Sequence, residues 1–295
     1  MLVLDTPAAM REWAITQRTA GLRIGLVPTM GALHEGHFAL IQEAADRTDV
    51  VVVSIFVNEL QFNRPDDFTL YPRPIDEDLA RCREAGVAAV YAPTQTAMSP
   101  PGYETFVVPG ALADPLEGAG RPGHFRGVTT VVAKLFNAVT PHVAMFGRKD
   151  YQQLAVITRM VADLDMNIEI IGAPTVREPD GLALSSRNRR LDWAQREAAV
   201  VVVDALDAME AAIIGGQHNV AEIHRVALAV VANEPSAQLE YADVVDPNTL
   251  TQLRSAEGEV LAVIAIWFGD VRLIDNRTII ASPPAVPTAP ASSVQ

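Results

Sequence analysis

The 295-residue chain carries 36 acidic against 23 basic side chains, a formal net charge of −13, with 49% apolar residues and one cysteine. That balance argues against nonspecific binding to nucleic acid, which needs a basic face. No apolar run reaches the roughly 18 residues of a membrane span, and Cys82 alone rules out an internal disulfide framework or a multi-cysteine metal site. The opening MLVLDTPAAMREW lacks the basic start and apolar run of a secretion signal. A cytoplasmic protein acting on small molecules is expected. A local cluster of cations and backbone N–H groups is still compatible with a small anionic substrate.

The predicted elements alternate from the start. Residues 7–19 read as a helix, with Thr6 as N-cap, Pro7 in first position and Gly21 as stop. LRIGLVP (22–28) reads as a buried strand, and a helix then starts near Gly36 or His37 and runs through FALIQEAADR. VVVVSIFV (50–57) is the clearest buried strand. IDEDLARCREAG (75–86) predicts a helix stopped by Gly86, and VAAVYAP (87–93) a strand. Residues 127–139 read as a helix, 142–147 as a strand, 150–164 as a helix and 167–172 as a strand. This succession predicts an α/β fold with a Rossmann-like, doubly wound parallel sheet over residues 1–176, which binds ligands beyond the carboxyl ends of its strands.

The pattern changes after residue 176. A long Ala-rich helix (193–213), a second helix (220–232) and strands near 238–246, 259–267 and 271–275 predict a second, smaller α+β domain over 177–280. The Pro- and Ala-rich residues 281–295 are expected to be a disordered tail.

The stretch VPTMGALHEGH (27–37) concentrates the chemistry. It resembles the zinc motif HExxH, but position 38 is Phe and the second histidine comes one place too early. Gly31 and Gly36 are spaced as in a P-loop, yet His37 and Phe38 stand where the phosphate-binding Lys and the Mg²⁺-binding hydroxyl are needed. What remains is a strand, a turn containing H-x-G-H, and a helix start. Gly36 admits a close approach to the backbone, free N–H groups at the helix start attract an anion, and His34 and His37 can hydrogen-bond phosphate oxygens that gain charge. This suits adenylate chemistry.

Four further segments, FVNELQF (56–62), HFRGVTTVVAKLFN (124–137), FGRKDYQQ (146–153) and REPDGLALSSRN (177–188), accompany PTMGALHEGH in that order. Together with EYADVVDP and VRLIDN they resemble the pantothenate synthetase (pantoate–β-alanine ligase) family over nearly the whole chain to about residue 276. The resemblance implies two steps. ATP adenylates the carboxylate of (R)-pantoate with release of pyrophosphate, and the amine of β-alanine then attacks the acyl adenylate with release of AMP. It also implies Mg²⁺ carried by ATP, and a homodimer.

The same resemblance implies roles for particular residues. His34, His37 and Lys149 would be catalytic, with His37 as proton donor and His34 stabilising phosphoryl charge. An ionised carboxylate needs no proton removed, so charge stabilisation is the main task and acid assistance secondary. Lys149, at the end of HVAMFG, would balance the triphosphate. ATP would further contact Met30, Gly36, Gly147, Asp150, Leu184 and the backbone of Val176, and Ser185, Ser186 and Arg187 would close over its β- and γ-phosphates. Gln61 and Gln153 would bind pantoate through their neutral amides, Gln61 would also meet β-alanine, and Met30 and Phe56 would wall the gem-dimethyl group. The sequence departs from the family in two places: Glu59 replaces a usual Pro, and Arg148 replaces Glu or Gln. The first should loosen the turn that carries Gln61 and add negative charge. The second should help phosphate binding or face solvent.

Two other readings compete with this one. Another adenylate-forming enzyme of the same fold would need a different acid or a tRNA, and the acidic chain has no basic domain for the latter. A nucleotide sensor would have lost part of the phosphate set, which here is complete.

Overall fold

The computed structural model describes residues 1–64 and 68–282. They form two compact units, Met1–Arg190 and a second from Leu191 onward.

The first unit is a six-stranded sheet of β1 (Leu2–Leu4), β2 (Ile24–Thr29), β3 (Val50–Ile55), β4 (Ala89–Tyr91), β5 (Val143–Gly147) and β6 (Glu169–Ala173). The spatial order is β1-β4-β3-β2-β5-β6, and every pairing is parallel. The longer helices between these strands are α1 (Pro7–Thr19), α2 (Glu35–Ala45), α3 (Ile75–Glu84), α4 (His124–Val139) and α5 (Tyr151–Asp163). The period of two along each strand sorts side chains onto two cores. Leu26 and Val52 face Met10, Phe125, Val132 and Ile157 on one side. Their neighbours Val27 and Val53 face Leu40, Ile41 and Cys82 on the other. With both faces covered, the central strands are apolar at nearly every position, which is why they were legible in the sequence. Strand order reverses between β2 and β5, so the crevice beyond the ends of those strands is where a ligand is expected on this topology.

The second unit is a three-stranded antiparallel sheet, β7 (Ala237–Val245), β8 (Glu259–Phe268) and β9 (Val271–Ile280). Its helices are α6 (Trp193–Ala198), α7 (Val201–Ile214) and α8 (Val220–Val231). Ile264 and Ile266 of the central strand are fully buried, as are Leu206 and Ile213 of α7.

Several boundaries differ from the predicted ones. The three-residue edge strand β1 was not predicted; it is too short to show periodicity, and Leu2 and Val3 are exposed. Helix α4 starts at His124 rather than 127, because the left-handed Gly123 sets its start (φ 82°) and Gly127 lies inside it. The helix expected over 193–213 is broken between α6 and α7. Strand β9 stays in register with β8 to Ile280, past the expected end at 275. The units divide after Arg190 rather than after residue 176, since 177–190 group with the first unit, where Ser186 Oγ lies 3.2 Å from the hydroxyl of Tyr71. Of the expected tail, Ala281 N–H reaches Gly258 C=O and Ser282 Oγ reaches Ile214 C=O. Residues 283–295 lie outside the described residues. Among the described residues no helix is long and apolar enough to cross a membrane.

Candidate active site

The chain leaves β2 through Thr29, whose Oγ1 donates to Ser54 C=O at 2.7 Å and accepts from Gly31 N–H at 3.1 Å. Gly31 and Ala32 then both take positive φ, 83° and 52°. The turn they make leaves the consecutive N–H groups of Ala32 and Leu33 pointing toward one side, where an anion can accept both. Here the anion is a side chain. Asp78 of α3, 2% exposed, accepts Ala32 N–H and Leu33 N–H at 2.8 Å each, one on each oxygen. Burial raises its pKa above the ordinary value, against the two amides that favour the anion. One helical turn on, Arg81 donates to Leu33 C=O at 3.0 Å and to Glu35 at 2.6 Å, with its guanidinium 4.1 Å from the Phe38 ring centre.

His34 is the N-cap of α2, and its Nδ1 accepts Gly36 N–H at 3.2 Å. His37 reciprocates, its Nδ1 accepting His34 N–H at 3.2 Å, which makes a capping box from two imidazoles. The rings lie 4.1 Å apart, tilted by 42°. An Nδ1 that accepts carries no proton, so each neutral ring bears its hydrogen on Nε2. Burial, with the positive charges of Lys149 and Arg189, lowers the pKa of His34 to about 4. Burial, then His34 and Arg81, lowers that of His37 to about 3. Both are neutral donors at neutral pH. Their spacing also explains Gly36: a Cβ there would lie 2.9 Å from His34 Cε1, with Leu184 Cβ at 4.0 Å.

Lys149 stands in the 3-10 turn Arg148–Asp150 that joins β5, ending at Gly147, to α5. Its Nζ is 3.5 Å from Asp150 Oδ1; the lysine side chain is 16% exposed and the aspartate 48%. After burial, the positive charge of Lys149 is the next largest cause of the lowered His34 pKa. Val176 and Leu184 are paired across a hairpin whose turn uses Gly181 at φ 89°. Ser185 Oγ accepts Arg187 N–H at 3.2 Å, and Ser186 Oγ lies 3.2 Å from the hydroxyl of buried Tyr71. Arg148 is exposed, as one expectation had it, and its Nε donates to Gly172 C=O at 2.8 Å.

A second group surrounds Gln61. Its Nε2 donates to Met30 Sδ at 3.1 Å, and its Oε1 accepts from Asn58 Nδ2 at 2.9 Å. Asn58 is 2% exposed and also donates to Gly127 C=O. The Gln61 carbonyl accepts from Arg121 at 3.0 Å and from His124 Nδ1 at 2.8 Å. His124 therefore carries its proton on Nδ1, the opposite tautomer to His34 and His37, and burial beside Arg121 lowers its pKa to about 4. Phe56 is buried, and its N–H donates to Thr29 C=O at 3.1 Å. Glu59 is exposed and lies 3.5 Å from Gln95. On α5, Gln152 is locked by Leu112 and Pro115 carbonyls and by Glu117 N–H. The neighbouring Gln153 is half-buried and makes no side-chain hydrogen bond among the described residues.

The structure thus brings His34, Gly36, His37 and Leu184 together, puts the charge of Lys149 within electrostatic reach of His34, and separately joins Met30 with Gln61. Tyr71, Asp78, Arg81, Arg121, His124 and Arg189 were missed. HFRG, within a segment already singled out, was the available signal for His124. Asp78 and Arg81 looked like ordinary helix residues.

A family model described as Pantoate-beta-alanine ligase matches residues 2–278. The pantothenate synthetase of Geotalea uraniireducens is 46% identical over 276 residues, 94% of this chain and 98% of its own. That of Moorella thermoacetica is 49% identical over 276 residues with the same coverage. The crystal structure of pantothenate synthetase from Thermus thermophilus has a TM-score of 0.87 at 44% identity, covering 94% of this chain and 99% of that one. A pantoate-β-alanine ligase from Francisella tularensis, complexed with β-γ ATP and β-alanine, has a TM-score of 0.79 at 34% identity, covering 94% of this chain and 97% of that one.

Proposed function

The chain belongs to the pantoate–β-alanine ligase family, and from that premise we propose how its residues divide the work of making pantothenate. The overall reaction condenses (R)-pantoate with β-alanine, and ATP becomes AMP and pyrophosphate. In the first step a pantoate carboxylate oxygen attacks the α-phosphorus and the bond to the pyrophosphate oxygen breaks. In the second the β-alanine nitrogen attacks the acyl carbon, AMP leaves, and the nitrogen gives up a proton.

The observation that supports this assignment most is the paired cap, which commits Nδ1 of both His34 and His37 to the backbone and leaves each ring an Nε2–H to donate, with the positive charge of Lys149 felt at His34. Two neutral donors and a cation are suited to charge that grows on the phosphate oxygens as pyrophosphate departs. His37 acts here as a hydrogen-bond donor through Nε2–H, because burial disfavours the imidazolium that acid catalysis would use. Ser185, Ser186 and Arg187 take the outer phosphates, with Met30, Gly36, Gly147, Leu184 and the Val176 backbone completing the ATP site. Gln61 and Gln153 orient pantoate, Met30 and Phe56 flank its methyl groups, and Gln61 also meets β-alanine. ATP enters with Mg²⁺ as its counter-ion; the half-exposed Asp150 carboxylate is the type of oxygen donor that ion takes. We further assign the chain to the cytoplasm as a homodimer, for which light scattering should give twice the mass of 31.8 kDa.

Pyrophosphate exchange into ATP, run with Mg²⁺ and D-pantoate and without β-alanine, tests the first step. Exchange that depends on pantoate is the expected result. ATP binding without exchange would instead favour another carboxylic acid or a sensor.

A further inference from the structure

The backbone from Gly31 to Leu33 is held from outside by one helix. Asp78 receives two consecutive amides, and Arg81, three residues on and thus on the same face of α3, donates to the carbonyl between Leu33 and His34. These three bonds hold Ala32 N–H and both the N–H and the C=O of Leu33, the residue that leads into His34. The grip has little slack, since a Cβ at Gly31 would lie 2.9 Å from Asp78 Oδ2 and 3.1 Å from Ile55 Cγ2. A carboxylate buried to 2% exposure is costly unless hydrogen-bonded, and here both oxygens are used. Helix stability alone does not require it: Asp76 and Glu77 already place acid in the first turn of α3.

We infer that α3 is a clamp, and that Asp78 and Arg81 are positioning residues for adenylation, fixing the left-handed turn so that the His34 imidazole stands where the phosphate charge develops. The inference rests on the ligase reading above. Neither side chain touches substrate; each acts through the backbone that carries His34. Misplacing a catalytic group by about 1 Å costs up to about 100-fold in rate. Such a loss falls on the step that needs phosphoryl charge stabilisation, not on ground-state binding.

Asp78→Asn is nearly isosteric, but its amide presents N–H to a backbone N–H and loses one of the two acceptors. Pantoate-dependent exchange should fall by about 100-fold, with KM for ATP and pantoate within about threefold. The second half-reaction, started from supplied pantoyl adenylate and β-alanine, should stay within about threefold. Arg81→Gln, at a half-exposed site, should give a smaller loss of about tenfold with the same split between half-reactions. It carries the test if Asp78→Asn does not fold. Unchanged exchange in the folded variants overturns the clamp, as does an equal fall in both half-reactions with lowered Tm, which would make the contacts merely structural. Absence of exchange in the unaltered enzyme would overturn the ligase reading instead.

Discussion

Imidazoles that cap a helix with Nδ1 have surrendered their basic nitrogen to the backbone, and what they offer a ligand is N–H. The nearby ammonium of Lys149 reinforces that state, because a second positive charge on His34 would be repelled. Lys149 therefore supplies a full positive charge that the two neutral rings do not, and Lys149→Ala should lower pantoate-dependent exchange by about 1000-fold or more while the circular dichroism spectrum and Tm stay near those of the parent. Near-normal exchange would sink its assignment. His34, His37 and Lys149 were legible because their motif spacing is dense with uncommon residues. Asp78 was not. It sits in the first turn of a helix with Asp76 and Glu77, where acidic side chains are expected for the dipole alone. Only the fold reveals that one of the three points inward.

At the scale of elements, the proposed pantoate side depends on how closely α4 approaches the turn Glu59–Gln61. A Cβ on Gly127 would lie 2.3 Å from Leu60 C=O and 2.8 Å from Gln61 N, both backbone atoms that cannot rotate away. Replacing a helical glycine by alanine ordinarily gains about 1 kcal/mol. Here overpacking, typically about 1–3 kcal/mol, outweighs the gain. Gly127→Ala should lower Tm in calorimetry and raise KM for pantoate by about tenfold or more through displacement of Gln61. A Tm raised by the substitution would refute the close approach. Sequence reasoning took this glycine as the place where the helix begins, since a mid-helix glycine costs propensity. The cost is met because the space is needed by another stretch of backbone, and spacing along one chain does not display such a tertiary demand.

For the whole molecule, the order of the central strands was readable because each is buried on two faces and so is nearly uniform in composition. The edge strand β1 and the division after Arg190 rest on pairings between distant segments and were not. Four histidines of the first unit share a lowered pKa, His142 in direction and His34, His37 and His124 to about 4, 3 and 4. The unfolded chain binds their protons near pH 6.5 and the folded chain does not, so acidification favours unfolding between about pH 6.5 and 4. Each fully coupled imidazole contributes up to about 1.4 kcal/mol per pH unit in that window. Urea midpoints should drop from pH 7 to pH 5, and His124→Gln, if folded, should flatten the slope. A midpoint rising toward pH 5 would contradict the shifts.

Cys82, the only cysteine, lies on α3 among Val27, Leu40 and Val90, with no exposed surface. Burial pushes its thiol up to about 11. The thiolate is the nucleophile that attacks an alkylating reagent, so modification must wait for this helix to lift off the sheet. The cysteine is thus a native clock for the opening of the element that bears Asp78 and Arg81. Iodoacetamide should label the folded enzyme far more slowly than the urea-unfolded chain, and ATP with pantoate should slow it further. Labelling of the folded protein at the unfolded rate would mean that α3 is not held in place.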